Sequence, residues 1–186
     1  MAEAALAGGA TAVQLRAPEL TDARLEALAR ELAERCGATG ALFVVNDRVA
    51  VAASVGAGAH VGQDDDPGSA QGILDPSAVL GVSVSTIEQA RAAEVAGADY
   101  LGVTVWATRT KPEAEPAGLD GLRSIAGETA LPVVGIGGVR AANAADVLDA
   151  GAVGICVVSA VGAAPDPVGA TAALVDAVDR WEEGKR

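Results

Sequence analysis

A chain of 186 residues fits one domain, here 1–186, and a domain that size buries roughly 70% of its unfolded surface in one core. Hydrophobic residues make up 51%, yet no run approaches the ~18 continuous apolar residues of a membrane helix, and the N-terminus has neither the basic nor the apolar region of a secretory signal. A formal net charge of −12 opposes nucleic acid and anionic membranes as partners, so a bound phosphate must be held locally by backbone N–H groups, a few cations or a metal. A cytoplasmic protein is the default expectation.

Residues Met1–Leu6 read as a helix fragment with no strand before it. The first strand is expected over Ala12–Arg16. A helix follows Thr21 as N-cap, with Leu25, Leu28, Leu32 and Cys36 on one face and Gly37 closing it. Glu26 with Arg30, and Glu31 with Arg35, are i,i+4 pairs on its wet face. Further strands are expected over Ala41–Asn46, Ala59–Gly62, Val79–Ser83, Tyr100–Val105, Pro132–Ile136 and Gly154–Ser159. Thr86 to Gln89 reads as a capping box, and Asp166-Pro167 starts the last helix, striped by Leu174, Val178 and Trp181.

A Gly-Ala pair recurs before the strands, at Gly9, Gly37, Gly56, Gly97 and Gly151, as left-handed helix ends feeding buried strands do. Repetition of that junction is the mark of stacked βα units. The fold class is therefore α/β, a (β/α)8 TIM-type barrel lacking its first strand in this chain. The structural alternative is an open, doubly wound sheet.

Cys36 and Cys156 are too far apart and too few for a disulfide framework or a zinc site, and each reads as a small buried hydrophobe. His60 is the single histidine, which excludes His-cluster metal sites. It sits in a Gly-rich run with no evident partner for a catalytic triad.

Barrels of this type do their chemistry on the loops after the strands. Polar residues collect there: Gln14 and Arg16, Asn46 and Asp47, Gln63 and the Asp64–Asp66 run, Ser83, Thr108, Thr110 and Lys111, Gly137-Gly138, and Ser159. Asp47 with one of Asp64–Asp66 would suit Mg²⁺, which takes oxygen ligands and keeps waters for substrate phosphates. The bland reading of the Asp run is a solvated helix start. Gly137-Gly138 lets backbone N–H groups approach an anion, and Lys111 is a candidate clamp for a second phosphate. Together these point to small phosphorylated molecules as ligands.

The stretches GGATAVQLR (8–16), FVVNDRV (43–49), HVGQDD (60–65), LGVS (80–83), GADYLGV (97–103), TRTKP (108–112), GLDGL (118–122), VVGIGGV (133–139) and VVSAV (157–161) resemble the thiamine phosphate synthases over nearly the whole chain. The resemblance implies a Mg²⁺-dependent transferase. It would join hydroxymethylpyrimidine diphosphate to hydroxyethylthiazole phosphate, with pyrophosphate leaving first or nearly so. It implies Gln14, Arg16 and Asn46 as contacts to the pyrimidine diphosphate, with Ser83 and Lys111 facing the diphosphate too. Asp47 and Asp65 would be the metal ligands. Thr108, Arg109, Thr110, Gly138, Val158 and Ser159 would form the thiazole phosphate site. Catalytic weight would fall on Ser83, Lys111 and Arg16.

The sequence departs from that family at four places. Pro18 stands where a Lys is usual, Thr104 where a Gly-Pro is usual, Arg109 where a Pro is usual, and Ser85 where a His is usual. The last departure and the presence of Gln63-Asp64-Asp65 speak against the related thiazole tautomerases. A decayed, non-catalytic paralogue that binds a phosphorylated ligand is the non-enzyme alternative. The sequence is compatible with a homo-oligomer.

Overall fold

A computed structural model of the chain describes residues 1–63, 65–107 and 115–185. Seven strands form one sheet: β1 Ala12–Leu15, β2 Leu42–Asn46, β3 Gly58–Val61, β4 Leu80–Val84, β5 Tyr100–Thr104, β6 Val133–Ile136 and β7 Gly154–Cys156. All pair in parallel and in chain order, so no switch point reverses the sheet, and the doubly wound alternative is set aside. The result is a curled half-barrel in which β1 and β7 each have one strand neighbour.

Helices cover the outer face: α1 Ala2–Ala7, α2 Asp22–Thr39, α3 Val49–Ser54, α4 Pro67–Gln71, α5 Ile87–Val95, α6 Gly118–Glu128, α7 Ala144–Asp149, α8 Ser159–Gly162 and α9 Pro167–Glu183. The large apolar strand residues alternate toward them. Leu80, Val82 and Val84 of β4, and Leu101 and Val103 of β5, are buried in the core with Leu25, Leu122 and Ile125 of the helices. The residues between them in sequence, among them His60, Gly81, Ser83, Tyr100 and Gly102, fall on the concave face by the period-2 rule of strands.

Local chemistry agrees with the sequence at most junctions. The Thr86 hydroxyl accepts from the Gln89 N–H and the Gln89 side chain accepts from the Thr86 N–H, completing the capping box of α5. Asp166 caps α9 by accepting from the Gly169 N–H, with Pro167 at the first helical position. Both expected ion pairs on α2 form, Arg30 to Glu26 at 2.9 Å and Arg35 to Glu31 at 2.6 Å. One expected end is wrong: α2 runs through Gly37 to Thr39, and Gly40, with φ at 73°, takes the left-handed position. Ala29 rather than Leu28 completes its buried stripe, Leu28 lying on the flank. The expected strand over Gly154–Ser159 ends at Cys156, and Ser159 opens α8 instead. Cys36 is fully buried as expected, whereas Cys156 is only half-buried on the concave face.

Helix α1 packs against both α9 and α2, and Glu3 pairs with Arg35 across the latter contact. The outer ring of helices is therefore continuous around the position where the sheet is open.

Candidate functional site

Because every strand is parallel, the C-terminal ends of all seven share one rim. The rim collects Arg16 after β1, Asn46 and Asp47 at the end of β2, Asp65 after β3, Ser83 in β4, Thr104 at the end of β5, Gly138 after β6, and Val158 and Ser159 after β7. Gln14 lies within β1, in register with Val44. Thr108, Arg109, Thr110 and Lys111 lie outside the described residues. Among the described residues on either side, the Ala117 N–H donates to the Thr104 carbonyl at 2.8 Å and the Gly118 N–H to the Val105 carbonyl at 3.1 Å.

The two acidic loops differ in how they hold their carboxylates. Asp47 has φ at 61°, which Asp tolerates better than most side chains, and its N–H is bonded to the His60 carbonyl at 2.9 Å. Its side chain is exposed at the mouth. Asp65 turns one carboxylate oxygen back onto the Gly62 N–H at 2.7 Å. Asp66 is committed elsewhere: it caps α4 by accepting from the Gly68 N–H at 3.0 Å and from the Ser69 hydroxyl at 2.5 Å. Those bonds, the one from Ser69 first, lower the Asp66 carboxyl below the usual range. The bland reading of the acidic run, a helix start, is thus borne out at Asp66, the N-cap of α4.

Gly137 and Gly138 have φ of 91° and 67°, so the turn after β6 needs glycine at both. The Asn143 side-chain amide donates to the Gly138 carbonyl at 3.2 Å. Trp106 covers Gly138, and a Cβ added there would meet the Trp106 Cβ at 3.1 Å. The sequence carried no signal for this contact, because Trp106 is an isolated aromatic outside every motif. Ser85, at the position where the tautomerases carry His, is drawn into the cap of α5: its hydroxyl donates to Gln89 Oε1 at 3.0 Å, with Gln63 Oε1 as the more distant alternative acceptor at 3.4 Å.

The expectation that His60 lacks a partner is corrected. His60 Nδ1 lies 2.9 Å from the Tyr100 hydroxyl and Nε2 lies 2.9 Å from Ser83 Oγ. Register explains the cluster: His60 is aligned with Gly81, and Gly81 with Tyr100, so the two rings meet across a residue with no side chain. A Cβ on Gly81 would lie 2.1 Å from the Tyr100 ring and 2.5 Å from His60 Nδ1. Gly102 gives His60 a second bare seat, with Cε1 3.1 Å from where its Cβ would be. Burial pushes the Tyr100 phenol well up, the nearby Cys156 thiol adds to this, and a hydrogen bond with the Gln14 side chain draws it back down.

A family model described as thiamine monophosphate synthase matches residues 1–161. The chain belongs to that family. A thiamine-phosphate synthase of Moorella thermoacetica is 49% identical over 180 residues, which cover 95% of this chain and 86% of that protein. Another, of Roseiflexus castenholzii, is 49% identical over 177 residues, covering 93% of this chain and 78% of that one. The solved structure of a thiamine phosphate pyrophosphorylase from Pyrococcus furiosus matches with a TM-score of 0.91 at 39% identity, covering 97% of this chain and 88% of that chain. The half-barrel of this chain is thus close to that solved structure. Among the described residues no helix is long and apolar enough to cross a membrane.

Proposed function

We propose that this chain is a thiamine phosphate synthase, transferring the pyrimidinylmethyl group of hydroxymethylpyrimidine diphosphate to the ring nitrogen of hydroxyethylthiazole phosphate. The carbon–oxygen bond to the diphosphate breaks, a carbon–nitrogen bond forms, and pyrophosphate leaves. The observation that carries the reading is the identity of 49% to named synthases over nearly the whole chain.

The chain's own residues would divide the work. Gln14, Arg16, Asn46 and Ser83 face the pyrimidine diphosphate, with Lys111 adding fixed charge against the leaving group. Gly138, Val158 and Ser159, with Thr108, Arg109 and Thr110, take the thiazole phosphate. Arg16, Lys111 and Ser83 lower the barrier by stabilising charge as it develops on the departing oxygens.

The donor set fits Mg²⁺ in kind: Asp47 and Asp65 offer exposed carboxylate oxygens on adjacent loops, and Asp66, spent on its cap, does not compete. When bound, Mg²⁺ would neutralise charge on the diphosphate. The tautomerase reading is disfavoured because Ser85 is no base and its hydroxyl already serves the α5 cap.

A further parallel strand pairing with β1 and β7 would close the barrel. Support comes from the two open edges and from α1 standing in the helical ring beside them. An upstream extension supplying that strand would raise solubility, since open strand edges invite aggregation. We also place the protein in the cytoplasm. The test of function is coupled detection of pyrophosphate: release should require both substrates, and none above background would reject the synthase.

A further inference from the structure

Three groups on the concave face stand in line: Tyr100, His60 and Ser83. The Tyr100 hydroxyl is 2.9 Å from Nδ1 of the imidazole, and Ser83 Oγ is 2.9 Å from Nε2. A neutral imidazole has one donor and one acceptor nitrogen, so this line has two polarities. In one, Ser83 donates inward to His60 and shows the mouth only its lone pairs. In the other, Tyr100 donates to Nδ1, Nε2–H donates to Ser83, and the Ser83 proton is free to point outward.

We propose that Tyr100 and His60 are positioning residues that run the line outward, fixing the imidazole as its Nε2–H tautomer and turning Ser83 into a donor toward an anionic diphosphate. Three observations support this. The rings are built into place, since Gly81 and Gly102 supply the bare seats on which His60 and Tyr100 lie and a methyl group at Gly81 would evict both. Tyr100 is largely withdrawn from solvent, which favours the neutral phenol that must donate. Gln14 of β1 is a further hydrogen-bond partner of the Tyr100 side chain, so the phenol is held beside His60 from a second strand. Ser83 itself is half-buried at the rim, one residue before the end of β4. Positioned hydrogen-bond chains of this kind set the orientation of the group that meets the ligand.

The anion that Ser83 meets is the diphosphate of the proposed function, and the inference rests on that reading for its consequence. The tautomer does not. His60 is the chain's single histidine, so the nitrogen correlations of its imidazole in uniformly ¹⁵N-labelled protein are read without assignment. A fixed Nε2–H tautomer is expected. The Nδ1–H tautomer, an averaged pair or an imidazolium would overturn the proposal, whether or not the protein turns over.

The second arm is a mutant cycle. Tyr100→Phe keeps the ring on Gly81 and removes the donor, and about a tenfold fall in kcat is expected, with circular dichroism unchanged. In a Ser83→Ala background the same change should cost nothing further. Equal losses in both backgrounds would show that Tyr100 does not act through Ser83. A chain that releases no pyrophosphate with both substrates would reject the synthase, while the imidazole spectrum would still decide the line.

Discussion

The backbone N–H of Asp47 donates to the carbonyl of His60 at 2.9 Å, clipping the turn after β2 onto the neighbouring strand. The bond spends only the backbone of Asp47, and the left-handed φ of 61° leaves the carboxylate at the mouth, one strand over from the loop that carries Asp65. Asn tolerates the same conformation, so Asp47→Asn removes charge without removing the turn. Turnover should fall about 10²–10³-fold, with the fold intact by circular dichroism. Lys111→Ala, removing the other sign of charge, should cost about as much. Losses under threefold in both would contradict the charge assignment.

Gly81→Ala tests the concave cluster by crowding rather than deletion. The new methyl carbon would fall 2.1 Å from the Tyr100 ring, far inside van der Waals contact, and neither ring can move away without leaving its partners. Overpacking of this sort costs about 1–3 kcal/mol, which a urea titration would register as a lower midpoint. Activity should fall as well. A variant as stable and as active as the parent would show that the rings are not wedged as described.

How much of this was legible in the sequence depended on the range of each interaction. Caps and ion pairs were readable because they join residues three or four apart, as at Thr86 with Gln89 or Glu26 with Arg30. The rim was readable because parallel strands put all their C-terminal ends on one side. The pairing of His60 with Tyr100 was not, since it spans 40 positions and depends on the strand register that brings both to Gly81. A glycine in a strand looks like weak filler until the ring that needs its space is known. The end of α2 was misplaced because two glycines compete there. Ala38 and Thr39 extend the helix past Gly37, the Thr39 hydroxyl bonds the Cys36 carbonyl at 3.0 Å, and the left-handed turn falls on Gly40.

Asp66→Ala separates the capping acid from its neighbour. Its carboxyl is lowered on folding by Ser69 and Gly68, so its stabilisation is full above the ordinary carboxylate pKa and fades as pH falls through the lowered folded value. The variant should be slightly less stable than the parent at neutral pH, the difference closing in acid, with turnover unchanged. Thermal melts from neutral to acid pH check this. A difference that widens in acid would contradict the cap, and loss of turnover would show that the wrong acid was assigned to the helix.

Pro18 lies where the family usually has Lys, and its carbonyl accepts from the Arg48 guanidinium at 3.5 Å. Lysine keeps that carbonyl, so Pro18→Lys can add a cation near the rim without breaking the contact. Turnover should rise, most at low Mg²⁺, where neutralisation of the diphosphate is weakest. Rates measured across a Mg²⁺ series would show it. A gain independent of Mg²⁺, or a loss, would contradict the role given to that position.

A transfer between two phosphorylated substrates is tested most directly by its stoichiometry. The purified chain would be given hydroxymethylpyrimidine diphosphate, hydroxyethylthiazole phosphate and Mg²⁺, with thiamine phosphate quantified by mass spectrometry and pyrophosphate by a coupled assay. One thiamine phosphate for each pyrophosphate, and neither product when either substrate is left out, is the result expected. Pyrophosphate without thiamine phosphate, or neither product with both substrates present, would contradict it.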